Sequence, residues 1–183
     1  MLEHKNTRIL NQYLIHTQRD LLGELRSEIQ RSGIHKIVVL DDDPTGTQTV
    51  ANVPVYTGWD EESIKDIFAN EYLLNFILTN SRAFGEEKTV QVHQEIALNL
   101  KKSAAVTEKK YLLISRADST LRGHYPTETE VLRRELEKDN TICFDGEVIC
   151  PYFAEGGRYT IDNVHYVRYG SELIPAAETE FAK

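Results

Sequence analysis

The sequence is short of basic residues: 21 Lys and Arg face 29 Asp and Glu in 183 residues, giving a formal charge of −8 and an isoelectric point near 5.3. A phosphate backbone is bound by a basic face, so a general nucleic-acid partner is excluded, and an anionic ligand must be held by a local cluster of Arg or Lys. Cysteine is scarce as well. Cys143 and Cys150 form no CxxC pair and have no His beside them at metal-ligand spacing, so they read as reduced thiols in or near the core and no metal site is assigned. No apolar run approaches the roughly 20 residues that cross a bilayer. The amino terminus also lacks the apolar stretch of a signal peptide, so a cytoplasmic protein with no membrane partner is expected. Repeats, low-complexity segments and linkers are missing. So are a GxxxxGK[ST] loop and a GxGxxG, leaving no nucleotide-binding motif in the chain.

The composition, with 40% hydrophobic and 27% charged residues, is that of an ordinary soluble protein, and the length suits a single domain, 1–183, with a sizeable core. Within residues 8–32, Leu14, Leu21, Leu25 and Ile29 recur at spacings of seven, four and four, with charges between them and Gly33 placed to end the run. This predicts an amphipathic helix filling residues 1–33, whose stripe would pack on a sheet or on a second copy in a homo-oligomer. Over 34–183 the apolar runs Lys36–Leu40, Val53–Thr57, Leu74–Thr79, Tyr111–Ser115 and Val148–Cys150 read as strands, alternating with helical patterns at 61–70, 87–103 and 127–138. That alternation predicts an α/β fold, a three-layer Rossmann-like and mostly parallel sheet with helices on both faces. From Thr45 to Asn52 there is too little chain for a helical crossover, which usually takes about a dozen residues, so the second strand is expected to pair antiparallel or to sit at an edge. The Tyr- and Val-rich tail from Thr160 to Leu173 predicts a carboxy-terminal hairpin.

In open α/β sheets ligands collect at the carboxyl ends of the strands, and four of the predicted strands run into polar clusters there. These are Asp41-Asp42-Asp43-Pro44-Thr45-Gly46, Thr79-Asn80-Ser81-Arg82, the stretch from Ser115 to Gly123 (SRADSTLRG), and the stretch from Pro151 to Arg158 (PYFAEGGR). Each alone also fits turn and cap chemistry; Asp118, for instance, could be a helix N-cap. Together they form a rim with both signs of charge. Asp42, Asp43 and Asp118 can accept hydrogen bonds from sugar hydroxyls, act as bases or hold a hard cation. Arg82, Arg116, Arg122 and Arg158 can grip a carboxylate or phosphate in two-pronged fashion. A small ligand with hydroxyls at one end and an anion at the other would satisfy both.

The segments DDDPTGT, SRADSTLRGHYPTE and VICPYFAEGGRYTIDNVHYV resemble the amino-terminal half of the four-carbon acid sugar kinase family. Its members usually carry DD-x-TGA, K-x-DSTLRGN-x-x-x-E and P-x-x-x-x-GR in this order. By position the resemblance places Asp42, Asp43, Thr45 and Gly46 on the first motif, and Asp118, Ser119, Thr120, Arg122, Gly123 and Glu128 on the second. Gly157 and Arg158 fall on the third. Arg116 replaces the Lys before DSTLRG, His124 replaces the Asn after it, and Thr49 stands where an Asp often follows the first motif. The resemblance implies an acid-sugar-binding domain of an ATP-dependent kinase acting on threonate, erythronate or their 3-oxo forms. In that family ATP and Mg²⁺ belong mainly to a carboxy-terminal nucleotide-binding domain that would begin where this chain stops. Asp42 and Asp43 are then the expected catalytic pair. Thr45, Gly46, Arg82, Arg116, Asp118, Ser119, Thr120, Arg122, Gly123 and Arg158 are expected to bind substrate, and the chain alone is expected to bind rather than catalyse.

Two other readings compete. VVLDDDPTGT also fits the hhhh-D-x-D-x-T pattern of haloacid-dehalogenase-type, Mg²⁺-dependent phosphatases, with Asp41 as nucleophile, and FILTNS resembles their second motif. The acidic pair such an enzyme needs near its carboxyl side is replaced by PYFAEGGR. The other alternative is a non-catalytic sugar-acid-binding module.

Overall fold

The computed structural model describes residues 2–13, 21–47, 50–118, 120 and 122–182. Its elements are β1 (Lys5–Asn6), α1 (Leu10–Tyr13), α2 (Leu21–Ser32), β2 (Ile34–Asp41), β3 (Val55–Tyr56), α3 (Glu61–Ala69), β4 (Leu74–Leu78), α4 (Glu86–Thr107), β5 (Lys110–Arg116), α5 (Thr127–Glu137), β6 (Arg158–Ile161), β7 (Val164–Tyr169) and β8 (Glu172–Pro175). They divide into two compact units. An α/β unit takes residues Leu22–Ala117 and His124–Gly146, and a β unit takes those up to Leu21, Asp118–Gly123 and those from Glu147 onward.

In the α/β unit the strand order is β3-β4-β2-β5, and every pair is parallel. Consecutive strands that all run one way need crossover helices, and the sequence supplies them. Asp60 caps α3, its carboxylate accepting from the amides of Glu62 and Ser63 at 3.0 Å. The helix then buries Ile64, Ile67 and Phe68, three- and one-residue steps that keep one face inward. Val92, Ile96, Ala97 and Leu100 of α4 and Leu132 and Leu136 of α5 join them against Val38 and Leu40 of β2 and Ile77 of β4. Each such fully buried aliphatic side chain contributes roughly 1.5–3 kcal/mol, so this cluster outweighs any local propensity term. A parallel sheet flanked by helices is therefore what the alternating pattern encodes. The second strand is an edge strand as expected, and it runs parallel to β4.

Burying the amino group of Lys36 is the odd feature of this core. The residue is 3% exposed, and its Nζ donates to Asn70 O at 2.7 Å, Asn70 Oδ1 at 3.0 Å and Tyr72 O at 2.8 Å. It thereby satisfies carbonyls at the end of α3, where a cation is also favoured by the helix dipole.

The β unit is an antiparallel sheet in the order β1-β8-β7-β6. Asp162 and Asn163, both at positive φ, form the two-residue turn between β6 and β7, and Gly170 opens the turn into β8. The expected hairpin is thus two consecutive hairpins. Part of the expected amino-terminal helix is β1, paired with β8 through Lys5↔Leu173 and Asn6↔Glu172. The rest is α1 and α2, the latter ended by Gly33 at φ +69°; Leu14 lies outside the described residues. Leu21, Leu22 and Leu25 are 55–68% exposed, so this stripe is not packed on a sheet. Two further expectations are corrected. Val148–Cys150 is not a strand, and Cys143 and Cys150 are exposed. A short run with two β-branched residues, Val148 and Ile149, becomes a strand only where a neighbour pairs with it. Among the described residues no helix is long and apolar enough to cross a membrane.

Lys36→Met should leave its three oxygen acceptors without this donor and cost about 1–3 kcal/mol. A fall in the urea midpoint at unchanged slope would register the loss; an unchanged midpoint would show the amino group to be dispensable.

Candidate functional site

Parallel register fixes the start of the site. The last residue of β2, Asp41, lies opposite Leu78 of β4 and Arg116 of β5, so the chain leaves the sheet at its carboxyl end carrying three successive carboxylates. They are handled in different ways. Asp41 turns inward: it is 1% exposed, its Oδ1 has a long contact at 3.5 Å with Arg116 Nη1, and its buried Oδ2 has no hydrogen-bond partner. Burial therefore pushes its carboxyl up to about 6, against the pull of Arg116. Gly46 folds back over this carboxylate, and a Cβ there would sit 1.8 Å from Asp41 Oδ2. The glycine of the TG pair is required by that approach.

Asp42 and Asp43 share one arginine. Arg82 Nε and Nη2 donate to Asp42 Oδ2 and Oδ1 at 3.1 and 2.9 Å, and Nη1 donates to Asp43 Oδ2 at 3.1 Å. Asp42 is 2% exposed, whereas the Asp43 side chain keeps 24%. Asp43 Oδ1 accepts the Thr45 amide at 2.8 Å and also its hydroxyl. Asp42 is thus a buried anchor for the guanidinium, and Asp43 is the carboxylate that solvent reaches.

Behind Arg82 lies a buried polar chain that sequence reading did not assign. Asn80, left-handed at φ 56°, turns the backbone after β4. Thr79 Oγ1 donates to Asp41 O at 3.0 Å and its hydroxyl also contacts Ser81 Oγ at 3.1 Å, while Ser81 Oγ donates to Glu128 Oε1 at 2.8 Å. Glu128 is 2% exposed, and His93 Nε2 stands 3.9 Å from its Oε1. Burial lowers the pKa of His93, favouring the neutral ring. Glu128 stood in the second motif without a role; here α5 uses it to hold the Ser81–Arg82 turn.

The β unit holds the other expected residues. Asp118 does not cap a helix. Its carboxylate accepts the amides of Thr120 and Arg122 at 3.1 and 3.0 Å and the Thr120 hydroxyl at 2.6 Å, and it pairs two-pronged with Arg122 Nε and Nη2 at 3.1 and 2.8 Å. Burial alone would raise this carboxyl; the donors from Arg122 and Thr120 outweigh it and hold Asp118 well below the usual carboxylate range. Thr120 is buried and Gly123 half-buried, while Ser119 lies outside the described residues. Arg158 opens β6 after a turn in which Gly157 has φ +71° and Gly156 packs on the Phe153 ring, where a Cβ would come within 2.3 Å. The guanidinium carbons of Arg122 and Arg158 lie 4.9 and 5.1 Å from the centre of one ring, that of Phe181. Nothing in the spacing of Phe181 from these arginines marks it in the sequence.

The expected residues thus fall into two charged sets, one in each unit. In the α/β unit Asp42, Asp43, Thr45 and Arg82 come together, with Gly46 and Arg116 around Asp41. In the β unit Asp118, Thr120 and Arg122 come together, and Arg122 and Arg158 share Phe181.

Residues 37–183 match the family model described as the sugar-binding N-terminal domain. No curated protein and no solved structure matches the chain.

Two predictions follow from Asp41. Gly46→Ala should force the loop off the Asp41 carboxylate and cost about 1–3 kcal/mol, read as a lowered urea midpoint. The second concerns pH. Because the folded carboxyl titrates near 6 and the unfolded one near 3.8, protonation favours the fold at low pH, and that contribution is lost as pH rises through 6. The stability of wild type relative to Asp41→Asn should therefore fall by about 2 kcal/mol between pH 4 and pH 7. The difference cancels the opposing drift of His93, whose pKa is lowered; a pH-independent difference would refute the assignment.

Proposed function

Because the chain belongs to the sugar-binding N-terminal domain family, we propose that it is the sugar-acid-binding half of a cytoplasmic, ATP-dependent kinase acting on four-carbon acid sugars of the threonate, erythronate or 3-oxo-tetronate type. The observation that carries the proposal is the Arg82 guanidinium laid across Asp42 and Asp43 at the carboxyl end of a parallel sheet. Hydroxyl groups are donors in search of oriented acceptors, and a half-exposed carboxylate fixed by Arg82 and Thr45 is such an acceptor. Phosphoryl transfer asks the protein for an aligned hydroxyl and stabilised charge rather than covalent chemistry. In the proposal Asp43 orients or deprotonates the attacking hydroxyl and Asp42 holds Arg82 in place.

ATP and Mg²⁺ enter this proposal through a partner nucleotide-binding domain. Among the described residues no three His, Cys, Asp or Glu side chains converge as a metal site, and the Asp42–Asp43 pair faces a guanidinium. The donor set of this chain therefore does not fit a resident Mg²⁺, and no step in this chain runs through the ion. Burial also weighs against the phosphatase reading, since a nucleophilic Asp41 needs an open approach and Gly46 covers it.

Calorimetry with threonate, erythronate and the uncharged polyol erythritol tests the reading. The acids should bind and erythritol should bind more weakly. Asp43→Asn should weaken acid binding roughly ten- to a hundredfold, the worth of one charge-assisted hydrogen bond. Absence of binding by any four-carbon acid would overturn the proposal.

A further inference from the structure

Two guanidinium groups repel each other, and a fold that brings both to one aromatic ring has to compensate for it. Arg122 and Arg158 come from separate segments, a loop after β5 and the first residue of β6, yet both lie over Phe181. The two are held differently. Arg122 is tied to Asp118, whereas Arg158 Nη1 donates to Gly156 O, and its Nε is buried with no hydrogen-bond partner. A buried donor without an acceptor is unusual in a folded protein and marks a place where a ligand or ordered water belongs. The edge of a guanidinium that contains Nε is one of those that take a carboxylate in two-pronged fashion.

The ring itself is fixed from several sides. Phe181 lies in the final 3-10 turn, Glu180–Ala182, where its amide donates to Thr179 Oγ1 at 3.4 Å. Thr179 is 6% exposed, and its hydroxyl donates to Ala176 O at 2.7 Å. Tyr169 of β7 donates its hydroxyl to Glu180 Oε2 at 2.6 Å, which ties the turn to the sheet that also carries Arg158. A ring so held presents its negative face to cations. Contact with it restrains where each guanidinium sits.

We propose that Phe181 is a positioning residue that holds Arg122 and Arg158 as a two-cation site for an oxyanion, the carboxylate of the four-carbon acid. Arg122 already has the Asp118 carboxylate as a partner, so the group that an entering carboxylate would satisfy is the buried Arg158 Nε. The identity of the anion rests on the proposed function; the platform role of Phe181 does not.

The experiment uses the whole chain. In the unliganded protein, ring currents from Phe181 should shift the Arg122 and Arg158 side-chain NMR resonances upfield. Both shifts should vanish in Phe181→Leu and persist in Phe181→Tyr. Calorimetry with threonate and erythronate should show Phe181→Leu binding roughly three- to tenfold more weakly, with Phe181→Tyr restoring the affinity. Arg158→Ala should lose roughly ten- to a hundredfold. Inorganic phosphate is titrated in parallel. Displacement by phosphate at concentrations comparable to the acid would make the site a general oxyanion site, overturning the carboxylate assignment. Equal acid affinity in wild type and Phe181→Leu, with Arg158→Ala still impaired, would overturn the platform and leave the proposed function standing. Failure of every variant to alter binding of an acid that does bind would overturn the site as a whole. Should Phe181→Leu not fold, the wild-type ring-current shifts decide: their absence overturns the platform.

Discussion

The fold depends on how three adjacent carboxylates are accommodated at the end of β2. Two unit charges about 4 Å apart at the effective dielectric of a protein surface interact by about 4 kcal/mol. A run of Asp41, Asp42 and Asp43 without compensation would therefore consume much of the roughly 5–15 kcal/mol that stabilises a typical domain. The structure divides the problem. Asp41 is buried beneath Gly46 with its proton affinity raised, Arg116 near one oxygen and no partner at the other. Asp42 and Asp43 share Arg82, each of its three nitrogens donating to one of them. Strand register creates the junction, and β4 brings the cation to it, because Thr79 is tied to the Asp41 carbonyl and Asn80 turns the chain immediately afterwards.

The cation is held in turn by helices. Ser81 sits inside a hydrogen-bonded chain that ends on Glu128 in α5, with His93 of α4 alongside. All these groups are nearly sealed from water, so removing one leaves its neighbour buried without a partner, which costs more than the bond contributes when made. The packing of α4 and α5 and the placement of Arg82 are one cooperative problem. This explains why an acidic residue can occupy a core position of α5: Glu128 ends the polar chain that fixes the turn carrying the arginine.

Much of this was legible in the sequence where the signal is periodic. β2, β4 and β5 and helices α3, α4 and α5 follow from apolar runs alternating with amphipathic stretches, and the helix bounds fall within a few residues of those expected. Asp42, Asp43 and Arg82 were legible as a rim, since polar clusters after buried strands are uncommon in combination. Other features depend on partners that sequence spacing does not encode. Lys5–Asn6 is a strand because Leu173 and Glu172 happen to pair with it. Val148–Cys150 has strand composition and is not one, and Cys143 and Cys150 are exposed. The Phe181 ring is chosen by the geometry of the terminal turn, and Glu128 by a hydroxyl far from it in sequence. Asp118 resembled a helix cap because short polar residues serve both caps and loops; its donors show a loop.

Charge counting assigns different chemistry to the two sets. Arg82 has Nε, Nη1 and Nη2 committed to two carboxylates, and one cation against two anions leaves the set one charge negative. Such a cluster favours hydrogen-bond donors over anions, and Arg82 holds its two carboxylates as acceptors. Arg122 and Arg158 share one ring, with Asp118 paired to the first and Glu180 next to that ring in the chain. Exchanging Arg82 for a neutral residue would make the first set more negative and free Asp43 to move, whereas exchanging Arg158 would only remove attraction. The two arginines are therefore not equivalent. One is held within a network of carboxylates, and the other by a backbone carbonyl and an aromatic ring with its Nε left over.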